Sequence, residues 1–195
     1  MKYILYDTNG FEELGSELEA LGKMEMFNRE NPNQKKSFIA CESFPPTGKV
    51  FEKGSLRDKT EKEKVQSGEL NLDKIKDSIC EQINKTCYAA IISGFESSAL
   101  GDIYIYDSEE TDQTNLIGAV AVGGSVQYKC TRKSDGKKDF VLHTNTQIKK
   151  VLGDAATRKI ALLQKCYQLK QEVLLLNDYD LVVNYPYSAK YSEVI

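Results

Sequence analysis

One long amphipathic helix is predicted by residues 143–176, which read HTNTQIKKVLGDAATRKIALLQKCYQLKQEVLLL. Thr144 and Gln147 have the spacing of a capping box, in which two side chains bond free backbone N–H groups of the first turn. Apolar residues then recur every three or four positions and form a broad face. We therefore expect a helix that begins near Thr144, ends at Asn177-Asp178 and packs this face against a core.

A second helix is predicted earlier in the chain, at residues 71–93. Asn71 or Asp73 can cap its start, and Gly94 is suited to end it. Its apolar side chains recur at spacings of three and four: Leu72, Ile75, Ile79, Ile83 and Cys87. This spacing places them on one stripe of the helix, so the two long helices are candidates to share a core.

A short helix and a β-hairpin are predicted between the two long helices. Residues 104–106 have strand character, and a helix capped by Asp107 or Ser108 follows and ends at Gly123-Gly124. Two strand-like segments, 125–131 and 139–142, flank Ser134-Asp135-Gly136, whose last two residues favour a hairpin turn. An antiparallel hairpin therefore leads into the last long helix.

The first 55 residues have a different pattern, typical of a small β-rich region. Strands are predicted at residues 2–6, 37–41 and 49–51, with a short helix at 12–21 and a loop at 28–36. Residues 56–70 are almost all charged or polar, which indicates either a linker or a short solvated helix.

These elements predict an α+β fold in three parts. A β-rich region for docking or assembly covers residues 1–55, and the charged segment covers 56–70. A helix-hairpin-helix module with a tyrosine-rich tail covers residues 71–195, where 181–185 is expected to be extended and Pro186 to prevent further helix.

Charge and hydropathy exclude two classes of partner. The net charge of −3 gives no basic surplus for binding a nucleic-acid backbone. The apolar runs are far shorter than the roughly 20 residues that a membrane-spanning helix needs. We therefore expect neither nucleic-acid binding nor membrane insertion.

The five cysteines are expected to be reduced and buried. Their number is odd and no CxxC motif occurs. With a single histidine, a zinc site is hard to assemble. No cofactor or metal is expected.

His143 is the side chain best suited to acid–base catalysis, because an unperturbed histidine titrates near neutrality. No motif supplies it with a nucleophile, so a structural role is favoured and catalytic residues are not expected. Our hypothesis is a satisfied polar network that joins the start of the short helix to the start of the last helix. Its members are Asp112, Gln113, Asn115, His143, Thr144 and Gln147.

Tyrosines are abundant, with eleven in the chain and no tryptophan. Tyrosine rings serve well as anchors at protein interfaces, because they combine a large apolar face with a hydroxyl. The candidates are Tyr104, Tyr106, Tyr185, Tyr187 and Tyr191. Half-buried rings at the edges of the fold are an equal alternative.

A series of motifs follows the first long helix. In order they are Gly94-Phe95, Ser97, Ala99-Leu100-Gly101, Tyr104, Tyr106, Ser108, Asp112-Gln113, Asn115-Leu116, a hairpin, and His143-Thr144 with Gln147. This order resembles a domain of unknown function found in bacteriophage tail fibre and tail-fibre-assembly proteins, over about residues 60–176. Phe140 stands where that family carries a tryptophan.

The resemblance implies a non-enzymatic phage tail protein, a structural or attachment component that acts through contacts with other tail or fibre proteins. It implies a homo-oligomer made in the bacterial host cytoplasm and retained in the virion. A tail-fibre-assembly chaperone, absent from the mature particle, is the alternative, and a small enzyme that uses His143 is a third.

Overall fold

The computed structural model describes residues 1–192 and divides the chain into two compact units, one spanning Met1–Leu72 and the other beginning at Asp73. Both contain helices and antiparallel strands, so the α+β prediction is confirmed. No helix among residues 1–192 is long and apolar enough to cross a membrane.

The first unit is built on a three-stranded antiparallel sheet in the order β2-β1-β3. Its strands are β1 (Lys2–Asp7), β2 (Gly10–Leu14) and β3 (Ser37–Cys41), and helix α1 (Glu17–Glu30) packs against them. The core of this unit holds a small set of buried apolar side chains, Leu5, Leu14 and Ala20, and Ile4 is fully buried on the opposite face of β1. Strands β4 (Lys49–Glu52) and β5 (Ser55–Asp58) form a separate hairpin, followed by the short helix α2 (Glu61–Gln66).

The predicted helix at residues 12–21 is wrong. Residues 10–14 continue from a tight turn as β2, because Gly10, at a φ of +140°, lets the chain fold back onto β1. Leu14 then reaches the core from a strand, while Leu18 remains 84% exposed. The helix begins only after Ser16, whose hydroxyl accepts a hydrogen bond from the Glu19 N–H (3.2 Å). It runs on to Glu30, so the loop predicted from residue 28 starts later.

Helix α2 lies in the charged segment and is stabilised by its own polar residues. Thr60 and Glu63 form a capping box, and Arg57 donates two hydrogen bonds to the Glu63 carboxylate, each 2.8 Å. The Arg57 guanidinium lowers the pKa of Glu63 to about 2. The segment therefore forms a short helix although it buries no side chain.

The second unit is organised by two antiparallel helices, α3 (Leu72–Ile92) and α5 (Asn145–Leu175), which confirm the two long helices of the sequence. Near the start of α3 the buried Lys76 ammonium donates to the Leu174 carbonyl (3.2 Å). At the other end, Arg158 of α5 donates to the Ala90 carbonyl (2.9 Å). Helix α3 is thus linked to α5 at both of its ends.

A four-stranded antiparallel sheet completes this unit, in the order β6-β7-β8-β9. Its strands are β6 (Phe95–Ser97), β7 (Tyr104–Tyr106), β8 (Val126–Arg132) and β9 (Lys138–His143), and β8 with β9 is the predicted hairpin. Helix α4 (Glu110–Ala121) packs against α5. Their shared core consists of Phe95, Tyr104, Tyr106, Leu116, Cys130, Ile148 and Val151.

Gly94 connects α3 to this sheet at a point where no larger residue fits. Its φ is +96°, and a Cβ atom there would lie 2.8 Å from the Tyr106 carbonyl oxygen. A side chain would be strained by the backbone conformation and would collide with β7. The close approach brings the end of α3 directly onto the strand that carries the central tyrosines.

Two further predictions are corrected by the second unit. The N-cap of α4 is Glu109 rather than Asp107 or Ser108, and its N–H donates to the Asp112 carboxylate (3.1 Å). The C-terminal segment is helical where extended chain was expected. Its helices are α6 (Tyr179–Val183) and α7 (Tyr187–Ser192).

Local capping explains these two short helices. The Asp178 carboxylate accepts a hydrogen bond from the Leu181 N–H (3.1 Å) and so caps α6. Pro186 precedes α7, where proline is tolerated because the first turn of a helix does not use its N–H groups. The Pro186 carbonyl accepts a hydrogen bond from the Lys190 N–H (3.2 Å). Proline therefore starts this helix instead of preventing it.

Candidate interaction surface

His143 is fully buried at the end of β9, beneath the sheet. Its Nδ1 lies 2.8 Å from the Val141 carbonyl oxygen, which can only accept, so Nδ1 carries the proton. Its Nε2 lies 2.8 Å from the Tyr106 hydroxyl and accepts from it. Both ring nitrogens of the neutral imidazole are therefore satisfied within the fold.

The surroundings of His143 favour its neutral form. Burial lowers the pKa of His143, and burial raises the pKa of both Tyr106 and the nearby Cys130 thiol. The group closest to the imidazole is thus a protonated phenol in a closed, apolar core. This arrangement holds two strands together and has no open position for a substrate.

Asp112, Gln113 and Asn115 lie on α4, and each has a different environment. Asp112 bonds the Glu109 N–H at the N-cap, as described above. Gln113 donates to the Ser108 carbonyl (2.9 Å) and accepts from the Lys159 ammonium (2.7 Å). Asn115 is exposed to solvent. The start of α4 is therefore held by Asp112 and Gln113, whereas the Asn115 side chain contributes no hydrogen bond in the described residues.

Thr144 and Gln147 form the predicted capping box of α5, with the Thr144 N–H 2.8 Å from the Gln147 amide oxygen. Within residues 1–192 the side chains at the two helix starts are not hydrogen-bonded to each other. Tyr128 lies between them instead, because its hydroxyl donates to the Asp112 carbonyl (3.2 Å) and its ring meets His143 edge-on. Burial raises the pKa of Tyr128 to about 12.

Sequence reasoning missed Tyr106 and Tyr128 as partners of His143. The period-2 alternation of β7 and β8 could have indicated them, because alternate side chains of a strand point to the same face. The capping motifs drew attention to polar residues close in sequence, whereas the imidazole is bonded by a residue 37 positions away.

Gln113→Ala should destabilise the protein by about 1 kcal/mol, since it removes the hydrogen bonds to Ser108 and Lys159. Asn115→Ala, two residues along the same helix and exposed, serves as the matched control and should change stability by less than about 0.5 kcal/mol. Chemical denaturation of both variants measures the difference. Equal stability of the two variants would contradict a structural role for Gln113.

Three of the five candidate interface tyrosines are inside the fold. Tyr104, Tyr106 and Tyr191 are at most 6% exposed, because each ring points into the core of the second unit. Tyr185 and Tyr187 are half-buried, and Tyr187 donates a hydrogen bond to Gln82 (2.7 Å). The first three are unavailable to a partner in this conformation, which corrects that part of the prediction.

Exposed apolar residues of the second unit form two groups, and the larger group lies along one face of α5. This face has no charged side chain from Gly153 to Leu175, although α5 carries several charges on its other sides. We name it the α5 stripe and define it by eight exposed residues: Gly153, Ala156, Ile160, Leu163, Gln164, Tyr167, Gln171 and Leu174. The stripe is about 33 Å long at 1.5 Å per residue.

A second exposed apolar surface lies on β9, an outer strand of the four-stranded sheet. Phe140 and Leu142 are 62% and 59% exposed, on the face of the strand opposite Val141 and His143. Within residues 1–192 the free edge of β9 pairs with no other strand. We name Phe140, Leu142 and this free edge the β9 edge.

A pocket between α3, α4 and α5 is lined by apolar residues and by two cations, Arg158 and Lys159. Both cations have partners in the fold, since Arg158 bonds the Ala90 carbonyl and Lys159 bonds Gln113.

Among residues 1–192 no group of three or more His, Cys, Asp or Glu side chains could hold a metal ion. All five cysteines are free, as expected, and only Cys80 is half-buried instead of buried.

Comparison with known proteins gives one match. The family model described as "Domain of unknown function (DUF4376)" matches residues 74–186. That range contains His143, the α5 stripe and the β9 edge. No curated protein and no solved structure matches the chain.

Proposed function

The chain belongs to the family described as Domain of unknown function (DUF4376). From the order of its motifs we propose that it is a non-enzymatic, phage tail-associated protein. In this proposal it is a structural or attachment component of the tail fibre, made in the bacterial host cytoplasm and retained in the virion. It acts by binding other tail or fibre proteins. The order of motifs between Gly94 and Gln147, which resembles domains of phage tail proteins, supports the phage context.

The observation that carries the proposal is the β9 edge. An unpaired strand edge exposes backbone N–H and C=O groups that can pair with a strand of another chain. Proteins usually protect such edges with charged residues, and here the Asp139 carboxylate accepts from the Phe140 N–H (2.9 Å). The centre of the strand, Phe140-Val141-Leu142, nevertheless carries no charge. Two exposed apolar side chains beside a free edge are the features that a partner strand would cover.

The environment of His143 supports the non-enzymatic part of the proposal. A general base must reach its substrate within hydrogen-bonding distance. The His143 nitrogens are instead occupied by Tyr106 and Val141 in a position with no solvent exposure. In this proposal the protein works through its surfaces, and the buried imidazole stabilises the sheet that carries the β9 edge.

The test compares particles assembled with the wild-type chain and with the double variant Phe140→Lys/Leu142→Lys. Mass spectrometry of purified particles should find the wild-type chain and should find the double variant reduced at least about tenfold, equivalent to about 1.4 kcal/mol of binding free energy. Val122→Lys is the matched control, because Val122 is 71% exposed and lies outside the β9 edge. Circular dichroism of each variant verifies folding.

The outcomes separate the candidate functions. A wild-type chain that is required for fibre attachment but absent from purified particles would identify a tail-fibre-assembly chaperone. Particles that assemble and infect normally without the chain would overturn both tail functions. Equal incorporation of the double variant and the wild type would refute the β9 edge as the binding surface.

A further inference from the structure

Several charged side chains of α5 are bonded by the rest of the second unit, away from the α5 stripe. Arg158 bonds α3, and Lys159 bonds Gln113 of α4. Glu172 is bonded by Tyr185 and Lys190 from the C-terminal segment. The exposed face, by contrast, carries apolar, small and amide side chains. A solvent-facing helix surface normally carries charges, so this distribution is typical of a helix that packs against another protein.

We propose that the α5 stripe binds the same stripe of a second copy of this chain, with the two α5 helices antiparallel around a two-fold axis near Leu163 and Gln164. Such an isologous contact uses one surface on both copies, so the surface must complement itself. The inference rests on the proposed function, which treats exposed apolar surfaces as binding surfaces. It adds that the partner of the α5 stripe is a second copy of the chain.

The sizes of the side chains favour the antiparallel arrangement. The stripe begins with small residues, Gly153 and Ala156, and ends with larger ones, Gln171 and Leu174. Around an axis between residues 163 and 164, Gly153 of one copy faces Leu174 of the other, and Ile160 faces Tyr167. At the two ends of the stripe large side chains thus meet small ones, whereas the large Ile160 and Tyr167 pack side by side near the axis. A parallel pair would place small residues opposite each other and leave a gap.

Charges at the two ends of the stripe are complementary in the same arrangement. The antiparallel arrangement separates the two copies of Lys149, which is exposed at the start of α5, and brings each one near the C-terminal end of the partner helix. The positive N-terminal end of each helix dipole also lies near the negative C-terminal end of its partner. In a parallel pair Lys149 would instead face Lys149, and like charges repel.

The exposed area of the stripe is sufficient for a specific dimer. Ile160, Leu163, Tyr167 and Leu174 are 54%, 48%, 63% and 47% exposed, so each retains about half of its surface for a partner. Together with the glutamines they offer on the order of 500 Å² on each copy, or about 1,000 Å² in total, which reaches the lower range of specific interfaces.

Light scattering of the purified chain tests the association. The wild type should have the mass of two chains, and Leu163→Glu, which places two carboxylates beside the axis, should weaken dimerisation at least about a hundredfold. Ile103→Glu is the matched control, because Ile103 is 45% exposed and lies just before β7, outside the α5 stripe, and it should remain dimeric. A monomeric wild type, or a Leu163→Glu variant that dimerises like the wild type, would overturn the proposal.

Disulfide cross-linking tests the direction of the helices and does not depend on a destabilising substitution. Ile160→Cys mixed with Tyr167→Cys should give a cross-linked heterodimer, whereas Ile160→Cys alone should not. In the antiparallel pair two copies of residue 160 are about 10 Å apart along the axis, too far for a disulfide. The wild type under the same oxidant is the control for the five native thiols. A strong self-cross-link of Ile160→Cys would overturn the antiparallel arrangement.

The test of the dimer and the test of the proposed tail function have distinguishable outcomes. A chain that is present in particles but monomeric in solution refutes the dimer and leaves the proposed function intact. A dimer that is neither found in particles nor needed for fibre attachment refutes the proposed function and leaves the dimer intact.

Discussion

His143→Ala is expected to lower the free energy of unfolding by about 3–5 kcal/mol, through a cavity in the core and the loss of two buried hydrogen bonds. The Tyr106 hydroxyl and the Val141 carbonyl would each lose the partner that lies 2.8 Å away in the native fold. Chemical denaturation, followed by circular dichroism, measures the change. The transition of the second unit should move to lower denaturant concentration.

Tyr106→Phe is the matched control for this substitution. It keeps the ring and removes only the hydroxyl that His143 accepts from, so it should cost about 1–3 kcal/mol, less than His143→Ala. A His143→Ala variant as stable as the wild type, yet unable to support an activity that the wild type has, would reverse our interpretation. That result would indicate that the imidazole belongs to an active site, and the alternative of a small enzyme that uses His143 would then be favoured.

The pH dependence of stability provides a second measurement on the same residue. Because burial lowers the pKa of His143 below its ordinary 6.5, the unfolded chain binds a proton at a higher pH than the folded protein does. The contribution of His143 is therefore fully present above pH 6.5 and is lost progressively as the pH falls below 6.5. This slope should be absent from His143→Ala. A wild type whose stability increases as the pH falls from 7 to 6 would contradict a lowered pKa of His143 in the folded protein.

Tyr191→Ala should lower the free energy of unfolding by about 3–5 kcal/mol, an effect similar in size to that of His143→Ala. The ring is 2% exposed, and its hydroxyl donates to the Leu162 carbonyl of α5 (3.2 Å). Removing the ring leaves a large cavity beside α5 and releases α7 from the helix it contacts. Thermal and chemical unfolding of the variant measure the loss.

Tyr187→Ala, in the same short helix, is the control for Tyr191→Ala. Tyr187 is half-buried and bonds only Gln82, so its loss should cost about 1 kcal/mol or less. If Tyr191 instead anchored a partner, Tyr191→Ala would reduce binding and leave the unfolding transition of the isolated chain unchanged. That outcome would mean that the ring is not packed in the core.

The long helices were predictable because their pattern is strong over many residues. Ile75, Ile79 and Ile83 recur every four positions, and the Thr144–Gln147 capping box marks the start of α5 at the residue where the structure places it. The hairpin was predictable from Asp135-Gly136. Periodicity and capping are local properties, so a single sequence contains them in full.

The errors occurred where tertiary contacts decide the structure. Leu14 and Leu18 have helical spacing, yet pairing of β2 with β1 places Leu14 in a strand and leaves Leu18 in solvent. Tyr104 and Tyr106 were candidates for an interface, but composition alone does not indicate which side of a strand faces the core. Their burial depends on packing with α4 and with α5, and α5 begins only at Asn145.

The bond between Lys76 and Leu174 has a consequence for synthesis of the protein on the ribosome. The two residues are 98 positions apart, so α3 leaves the ribosome long before the helix that covers its apolar stripe exists. Until then Ile79 and Ile83 have no permanent cover, which makes the nascent chain sensitive to aggregation or in need of a holding factor. The second unit can close only after translation has passed α5, which makes its folding late and nearly all-or-none.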